Sequence, residues 1–332
     1  MRRVDAYTHF VPKAFYARMV EALPRYFQQP NIALRPALFD LDARLRLMDG
    51  YDDYVQVLAL TSPGLEEWAS GPTGVELAGL ANEGLAELVR DHPDRFVGFV
   101  ATVMLEDVEG SIRELERAVR DLGALGVQVY TNVNGHPLDE PRFEPFFAAV
   151  EDLDVAVWAH PARSVAHPDY ASEDASRYGI ALKFGWPYET VVFMTRMIFS
   201  GTMERHPRLR VLTHHAGGFV PHLVGRLTLS HETPAQRREI GVDESFDADR
   251  VLESYRRFYG DIVFSGGHYP LLCALDFFGA DRLVFATDTP FGAEGGAMFI
   301  RETIRAVETE VPDEALRAKL FEGNARRVLG VP

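Results

Sequence analysis

The sequence predicts an α/β fold, a (β/α)8 or TIM barrel formed as a single domain over residues 1–332. Three observations carry that prediction. Eight short apolar runs alternate with stretches of helical periodicity along the whole chain. Several runs end in histidine, tyrosine or aspartate, where a packed core has no use for them. The 332 residues exceed the roughly 250 of a typical barrel, and the surplus falls in the loops after strands one, five and six.

The first strand, residues 3–10, sends alternate side chains to one face, so Tyr7 and His9 point together at its C-terminal end. Residues 12–40 follow with prolines at 12, 24, 30 and 36, a loop of the length expected of a functional lid. A helix from Asp40 carries Leu41, Leu45 and Met48 on one face and stops near Gly50. Residues 54–60 give the second strand, and residues 74–90 a helix that His92-Pro93 ends. The third strand is residues 96–103; the helix after it starts near Asp107, buries Ile112, Leu115, Val119 and Leu122, and ends at Gly123.

Residues 126–130 form the fourth strand, and Phe143, Phe146, Phe147 and Val150 mark the helix behind it. The fifth strand, 155–160, ends in His160. A loop without periodicity leads to Gly185-Trp186-Pro187, whose proline suits the start of a helix. The sixth strand, 209–215, ends in His214-His215, followed by a helix over 221–230 and a polar insertion over 233–250. Residues 261–265 are expected as the seventh strand and 283–288, ending in Asp288, as the eighth. A closing helix spans 312–329.

Bulk composition narrows the function. A formal charge of −15 disfavours nucleic acid or an anionic membrane as partner, since both need basic surface. No apolar run reaches the roughly 20 residues of a membrane span. Cys273 is the only cysteine, and no signal-type stretch precedes the first strand, so a cytoplasmic enzyme acting on a small molecule is expected.

Active sites of such barrels form at the C-terminal strand ends. Tyr7, His9, His160, His214, His215 and Asp288 all fall there. Two imidazoles and a carboxylate from separate strands can hold a divalent ion, with Zn2+ the first expectation and Mn2+ or Fe2+ the alternatives. A metal-free polar cluster is the competing outcome.

These residues resemble the amidohydrolase superfamily, in the branch with aminocarboxymuconate-semialdehyde and γ-resorcylate decarboxylases. The resemblance rests on Asp5-Ala6-Tyr7-Thr8-His9, Val157-Trp158-Ala159-His160-Pro161, His215-Ala216-Gly217-Gly218 with Gly225-Arg226, and Thr287-Asp288-Thr289-Pro290-Phe291. It implies that His9, His160 and Asp288 bind metal. The family's further ligand position holds Tyr7 here, which leaves three alternatives: a tyrosinate ligand, a hydrogen-bonding phenol beside three protein ligands, or weak or absent metal. The resemblance places the proton-transfer histidine at His215, with His214 on the opposite face unless a bulge exchanges them.

By the same resemblance, Arg226 reaches a substrate carboxylate across a homodimer or higher homo-oligomer interface, where paired guanidinium donors match two oxygens. Arg35 is a weaker candidate for that job; Trp186, Phe291 and His268 are candidate pocket-lining residues. His92, His136, His167, His206, His222 and His231 are expected in loops and exposed turns. The activity implied is metal-dependent, non-oxidative decarboxylation of an aromatic or muconate-type acid, with Asp288 or His215 as general acid. A hydrolase or hydratase on the same apparatus, and a metal-free binding or vestigial protein, are the alternatives.

Overall fold

The computed structural model describes residues 1–22, 34–228, 233–239, 241 and 247–331. Eight parallel strands form its centre: β1 (Arg3–His9), β2 (Tyr54–Ala59), β3 (Phe96–Phe99), β4 (Gly126–Tyr130), β5 (Ala156–His160), β6 (Arg210–Thr213), β7 (Tyr259–Asp261) and β8 (Leu283–Val284). They pair as β1-β2-β3 and as β4-β5-β6-β7-β8. Backbone hydrogen bonds join the two ladders at both seams. At one seam Ala101 N donates to Gly126 O (2.8 Å) and Gln128 N to Ala101 O (2.8 Å); at the other Ala6 N donates to Phe285 O (2.9 Å). The barrel is therefore closed, and its fold is the predicted one.

The barrel interior is a cluster of small and β-branched side chains: Val4, Ala6, Val55, Val57, Ala59, Val97, Leu212, Val284 and Ala286, around Trp158. Outward-facing residues of the same strands (Leu58, Phe96, Phe99, Val127, Val157 and Val211) pack against the surrounding helices. This alternation, broken on β3 where the register against β2 shifts and both Phe96 and Phe99 face outward, decides which strand-end residues look into the mouth. Trp158 needs room, and Gly126 supplies it: a Cβ there would lie 2.7 Å from the indole and 2.1 Å from Ala156 O.

Strand β1 breaks the alternation once. Its register against β2 shifts between Asp5 and Thr8. The Asp5 carboxylate fills the irregularity, accepting from Tyr7 N (3.4 Å), Thr287 N (3.0 Å) and the Tyr54 hydroxyl. Val4 and Ala6 face inward, and the shift turns Tyr7 and His9 inward as well; an unbroken strand would have aimed Thr8 there instead.

Several elements depart from the sequence expectation. The segment after β1 begins with a helix, Lys13–Ala22, whose Phe15 and Met19 pack on Leu77, Ala78 and Ala81 of the helix Gly71–Asp91. The middle of the expected lid lies outside the described residues. Strand β7 ends at Asp261, where the sequence had suggested it would begin, because the apolar residues 262–264 continue into a turn rather than a ladder. The polar insertion contains a helix, Pro234–Glu239, and closes into another, Ala248–Arg256. The expected helix over 221–230 is a 3-10 turn, Val220–Leu223, followed by Val224–Thr228; the rest of it, with His231, lies outside the described residues. The closing helix is interrupted by a π-turn, Lys319–Gly323. Helices His268–Phe278 and Ala297–Glu310 flank β8 and were not anticipated.

Candidate metal centre and active site

The side chains at the barrel mouth follow from the alternation just described. On β5, Ala156 and Trp158 face inward, and so does His160 two residues on. On β6, Leu212 faces inward, and continuing the count gives His214. On β8, Val284 and Ala286 lead to Asp288. Asp288 adopts a left-handed backbone (φ 64°), and its N–H donates to Tyr7 O at 3.2 Å. His9 N donates in turn to Thr289 O (2.7 Å), so backbone bonds hold the end of β1 against the exit of β8.

Donor atoms of His9, His160 and Asp288 all lie within 4.8 Å of one another, and all three residues are buried. The hydrogen bonds fit a cation at this point. His9 Nδ1 faces Leu60 O at 3.0 Å and His160 Nδ1 faces Pro161 O at 2.7 Å. A carbonyl can only accept, so each Nδ1 carries the proton and each Nε2 presents a lone pair. That is the arrangement in which metal-binding histidines are held. His9 Nε2 lies 2.9 Å from Asp288 Oδ1, where two acceptors need a shared cation or proton between them.

Burial, with the nearby His214 and His9, pushes the His160 pKa well below the ordinary imidazole value. Burial alone would raise Asp288; its close contact with His9 and the His214, His9 and His215 imidazoles outweigh it and hold its carboxyl below the usual range. A neutral imidazole and an ionised carboxylate are the ligand forms a divalent ion requires.

His214 and Asp261 complete the group. Asp261 Oδ2 lies 2.5 Å from His214 Nδ1, and Asp261 Oδ1 accepts from His215 N (2.8 Å) and Val263 N (3.2 Å). His214 Nε2 is buried 3.8 Å from Asp288 Oδ1, with no hydrogen-bond partner among the described residues. Burial pushes the His214 pKa down, but Asp261 and then Asp288 push it up further, and the net shift is upward.

This arrangement departs from the expectation that His214 and His215 point to opposite faces: His214 joins the expected His215 beside the metal donors. The strand stops at Thr213, and His215 takes a left-handed conformation (φ 54°, ψ 38°), so the two rings do not diverge as they would on a strand. They lie 4.1 Å apart, with His214 over His160 at 5.1 Å. Burial and His214 push the His215 pKa down to about 3.

The remaining candidates divide. Phe291 stands 5.5 Å from the His9 ring and Trp186 5.1 Å from His160, so both flank the donors. Arg35 stacks over Phe291 at 4.9 Å and feels the charge of Asp288. Tyr7 is buried between the histidines, its ring 4.9 Å from His9 and 5.0 Å from His214. Its hydroxyl donates to Gln128 Oε1 at 2.6 Å, and burial first, then Tyr130, Asp288 and Asp261, push its pKa well up.

His268 and Arg226 are not brought to this group. His268 is 47% exposed and paired with Glu310 at 2.6 Å, because its helix starts beyond the turn after β7. Arg226 is exposed on the short helix Val224–Thr228. His206, expected in an exposed turn, is buried between Glu144 and Glu151.

A cavity of about 220 Å3 is lined by Glu66, Glu67, Tyr130, Asn132, Asn134 and Ser164 among others, and by none of the metal donors, Arg35, Trp186 or Phe291. Tyr130 links it to the donors, its ring 5.5 Å from that of His160. Burial pushes both glutamates above the usual carboxylate value. Asp261 was missed in the sequence: the seventh strand runs over Tyr259–Asp261 rather than 261–265, which places Asp261 at a strand end, like every other member of the group.

Comparison with known proteins agrees with this architecture. The γ-resorcylate decarboxylase of Rhizobium radiobacter is 31% identical over 89% of this chain and 89% of its own length. A 2,6-dihydroxybenzoate decarboxylase solved with 2,6-dihydroxybenzoate superposes with a TM-score of 0.81, at 26% identity over 99% of both chains. A dihydroxybenzoic acid decarboxylase from Polaromonas sp. JS666, solved with manganese and 2-nitroresorcinol, gives a TM-score of 0.78 at 25% identity over 99% of this chain and 97% of that one. The amidohydrolase family pattern matches residues 4–331, and the chain belongs to the amidohydrolase family.

Proposed function

We propose that this chain is a metal-dependent, non-oxidative decarboxylase of an aromatic carboxylic acid, a carbon–carbon lyase. The observation that carries the reading is the trio of His9, His160 and Asp288, whose donors converge within 4.8 Å in a chain 31% identical to a γ-resorcylate decarboxylase.

His9, His160 and Asp288 would hold the ion, which supplies Lewis acidity to polarise the substrate carboxylate and an adjacent hydroxyl. A nitrogen-rich donor set suits Zn2+, and Mn2+ is the ion bound in the Polaromonas relative. The other residues handle position and protons. Arg35, stacked on Phe291, is placed to receive a carboxylate, and Trp186 and Phe291 flank the ring. His214, held between Asp261 and Asp288, is the proton reservoir, and Asp288 passes the proton to the ring carbon that bears the carboxyl. The carbon–carbon bond then breaks, its electron pair returns to the ring, and CO2 leaves. His215 stays neutral beside this pair. In a cytoplasmic homodimer, exposed Arg226 would serve the partner subunit's cavity.

The test is CO2 release from a panel of hydroxybenzoates by protein loaded with Zn2+ or Mn2+, with and without a chelator. Release from at least one ortho-hydroxy acid, abolished by the chelator and restored by the ion, is expected. Folded, metal-loaded protein that releases CO2 from no member overturns the reading.

A further inference from the structure

Strand β1 carries a phenol, Tyr7, two residues before the first candidate ligand histidine, His9. We infer that Tyr7 is not a metal ligand but a positioning residue: hydrogen-bonded to Gln128, it fixes His9 through the carbonyl of Leu60, and the ion keeps only His9, His160 and Asp288 as protein donors. The inference rests on the metal-dependent reading above.

The direction of each hydrogen bond can be worked out. Gln128 Nε2 donates to Leu60 O at 3.2 Å and to the Tyr130 hydroxyl at 2.8 Å. Leu60 O can only accept, so this end of the amide is the nitrogen and the opposite end is Oε1. Oε1 lies 2.6 Å from the Tyr7 oxygen and cannot donate. The proton between them therefore belongs to Tyr7. A tyrosinate bound to a cation has no proton to give, and two bare oxygens at that distance would repel each other. The phenol is committed to Gln128.

The same carbonyl ties this arrangement to the metal donors. Leu60 O also accepts from His9 Nδ1, at 3.0 Å. Tyr7, Gln128, Leu60 and His9 thus form one chain of hydrogen bonds, with both lone pairs of the carbonyl in use. Geometry closes it from the other side: the Tyr7 ring stands edge-on to His9 at 4.9 Å and to His214 at 5.0 Å, walling the two imidazoles apart. The strands make it available: alternation turns Gln128 to the barrel interior on β4, and the register shift turns Tyr7 there on β1. The sequence consequence is a pairing: tyrosine at position 7 goes with an amide at position 128.

Two measurements test this, and the first needs no variant. Substituting the wild-type protein with ferric iron gives a visible tyrosinate-to-iron charge-transfer band only if Tyr7 coordinates; none is expected. The second compares wild type, Tyr7→Phe and Gln128→Leu for Zn2+ affinity, by competition with a chromophoric chelator, and for the His9 Nδ1–H resonance in histidine-labelled protein. Both variants are expected to weaken Zn2+ by less than about tenfold, at or below the low end for outer-shell changes, and to shift the His9 resonance.

A charge-transfer band that disappears in Tyr7→Phe, a tenfold or greater loss of affinity, or an unmoved His9 resonance in both variants overturns the inference. Wild-type protein that binds no divalent ion overturns it together with the metal-dependent reading. Protein that loads an ion without the band, yet releases no CO2, supports this inference while refuting the decarboxylase.

Discussion

Replacing Asp261 with asparagine isolates the part of the mechanism that the sequence did not reveal. The carboxylate makes three contacts: Oδ2 with His214 Nδ1 at 2.5 Å, and Oδ1 with the His215 and Val263 N–H groups at 2.8 and 3.2 Å. Asparagine keeps an oxygen for the two backbone donors. It places an amide NH2 against His214 Nδ1, which must then accept, so the proton of the neutral ring moves to Nε2. The fold should hardly notice, while His214 loses its charge-assisted partner and the upward pull on its pKa.

A hydrogen bond to a charged group is worth about 1.5–3 kcal/mol. With each 1.36 kcal/mol worth tenfold in rate, CO2 release per bound ion should fall about 10- to 150-fold. The unfolding midpoint in urea should stay close to that of the wild type. The assay is the initial rate of CO2 release on the best acid of the panel, with metal content measured on the same sample and the His214 ring titration followed by NMR. A rate within about threefold of wild type, or loss of the ion instead of loss of rate per ion, refutes the role assigned to the Asp261–His214 pair.

Three further outcomes follow from the packing and the charges. Arg44→Met removes a buried guanidinium that donates to Ala37 O (2.8 Å), Gln56 Oε1 (2.9 Å) and His9 O. Stranding three buried acceptors at about 1–3 kcal/mol each should lower stability by at least about 3 kcal/mol in urea titration. Gly126→Ala sets a Cβ 2.1 Å from the backbone oxygen of Ala156, which cannot rotate away; a cost of about 1–3 kcal/mol or more is expected, read as a lowered melting temperature or lost soluble yield.

For pH, His215 falls from 6.5 in the open chain to about 3 in the fold. The unfolded state therefore binds the extra proton first, and stability is lost as pH falls from about 6.5 towards about 3. At pH 5 the loss is about 1–2 kcal/mol, counting 1.36 kcal/mol per pKa unit and discounting for the ring's partial exposure. His215→Asn should remove that part of the acid sensitivity of the metal-free protein. Equal slopes of stability against pH in the two proteins would contradict it.

The barrel was legible because each strand is a short apolar run and, except around β8, helical periodicity stands between the runs. His160 and Asp288 were legible for a related reason: each ends an inward-facing series, Ala156-Trp158-His160 and Val284-Ala286-Asp288. His9 reaches the same place by a different route, a register shift beside Asp5 that no residue pattern announces. Counting from Leu212 points to His214; the left-handed turn at His215 that keeps both rings at the mouth has no signal in the residue pattern. Asp261 was hidden by a strand end placed four residues too late, at 265 instead of 261. Arg35 and Arg226 depend on how distant loops fold over the mouth, and the local sequence of neither says which one arrives beside Phe291.

The most direct measurement of the central claim is to run the metal-loaded enzyme in heavy water on the acid it decarboxylates, and to analyse both products. One CO2 per molecule consumed is predicted, with a single deuterium on the ring carbon that lost the carboxyl. No oxygen from labelled water should enter the aromatic product. Solvent oxygen in an acid product without release of CO2 would contradict the account and assign the same residues to hydrolysis.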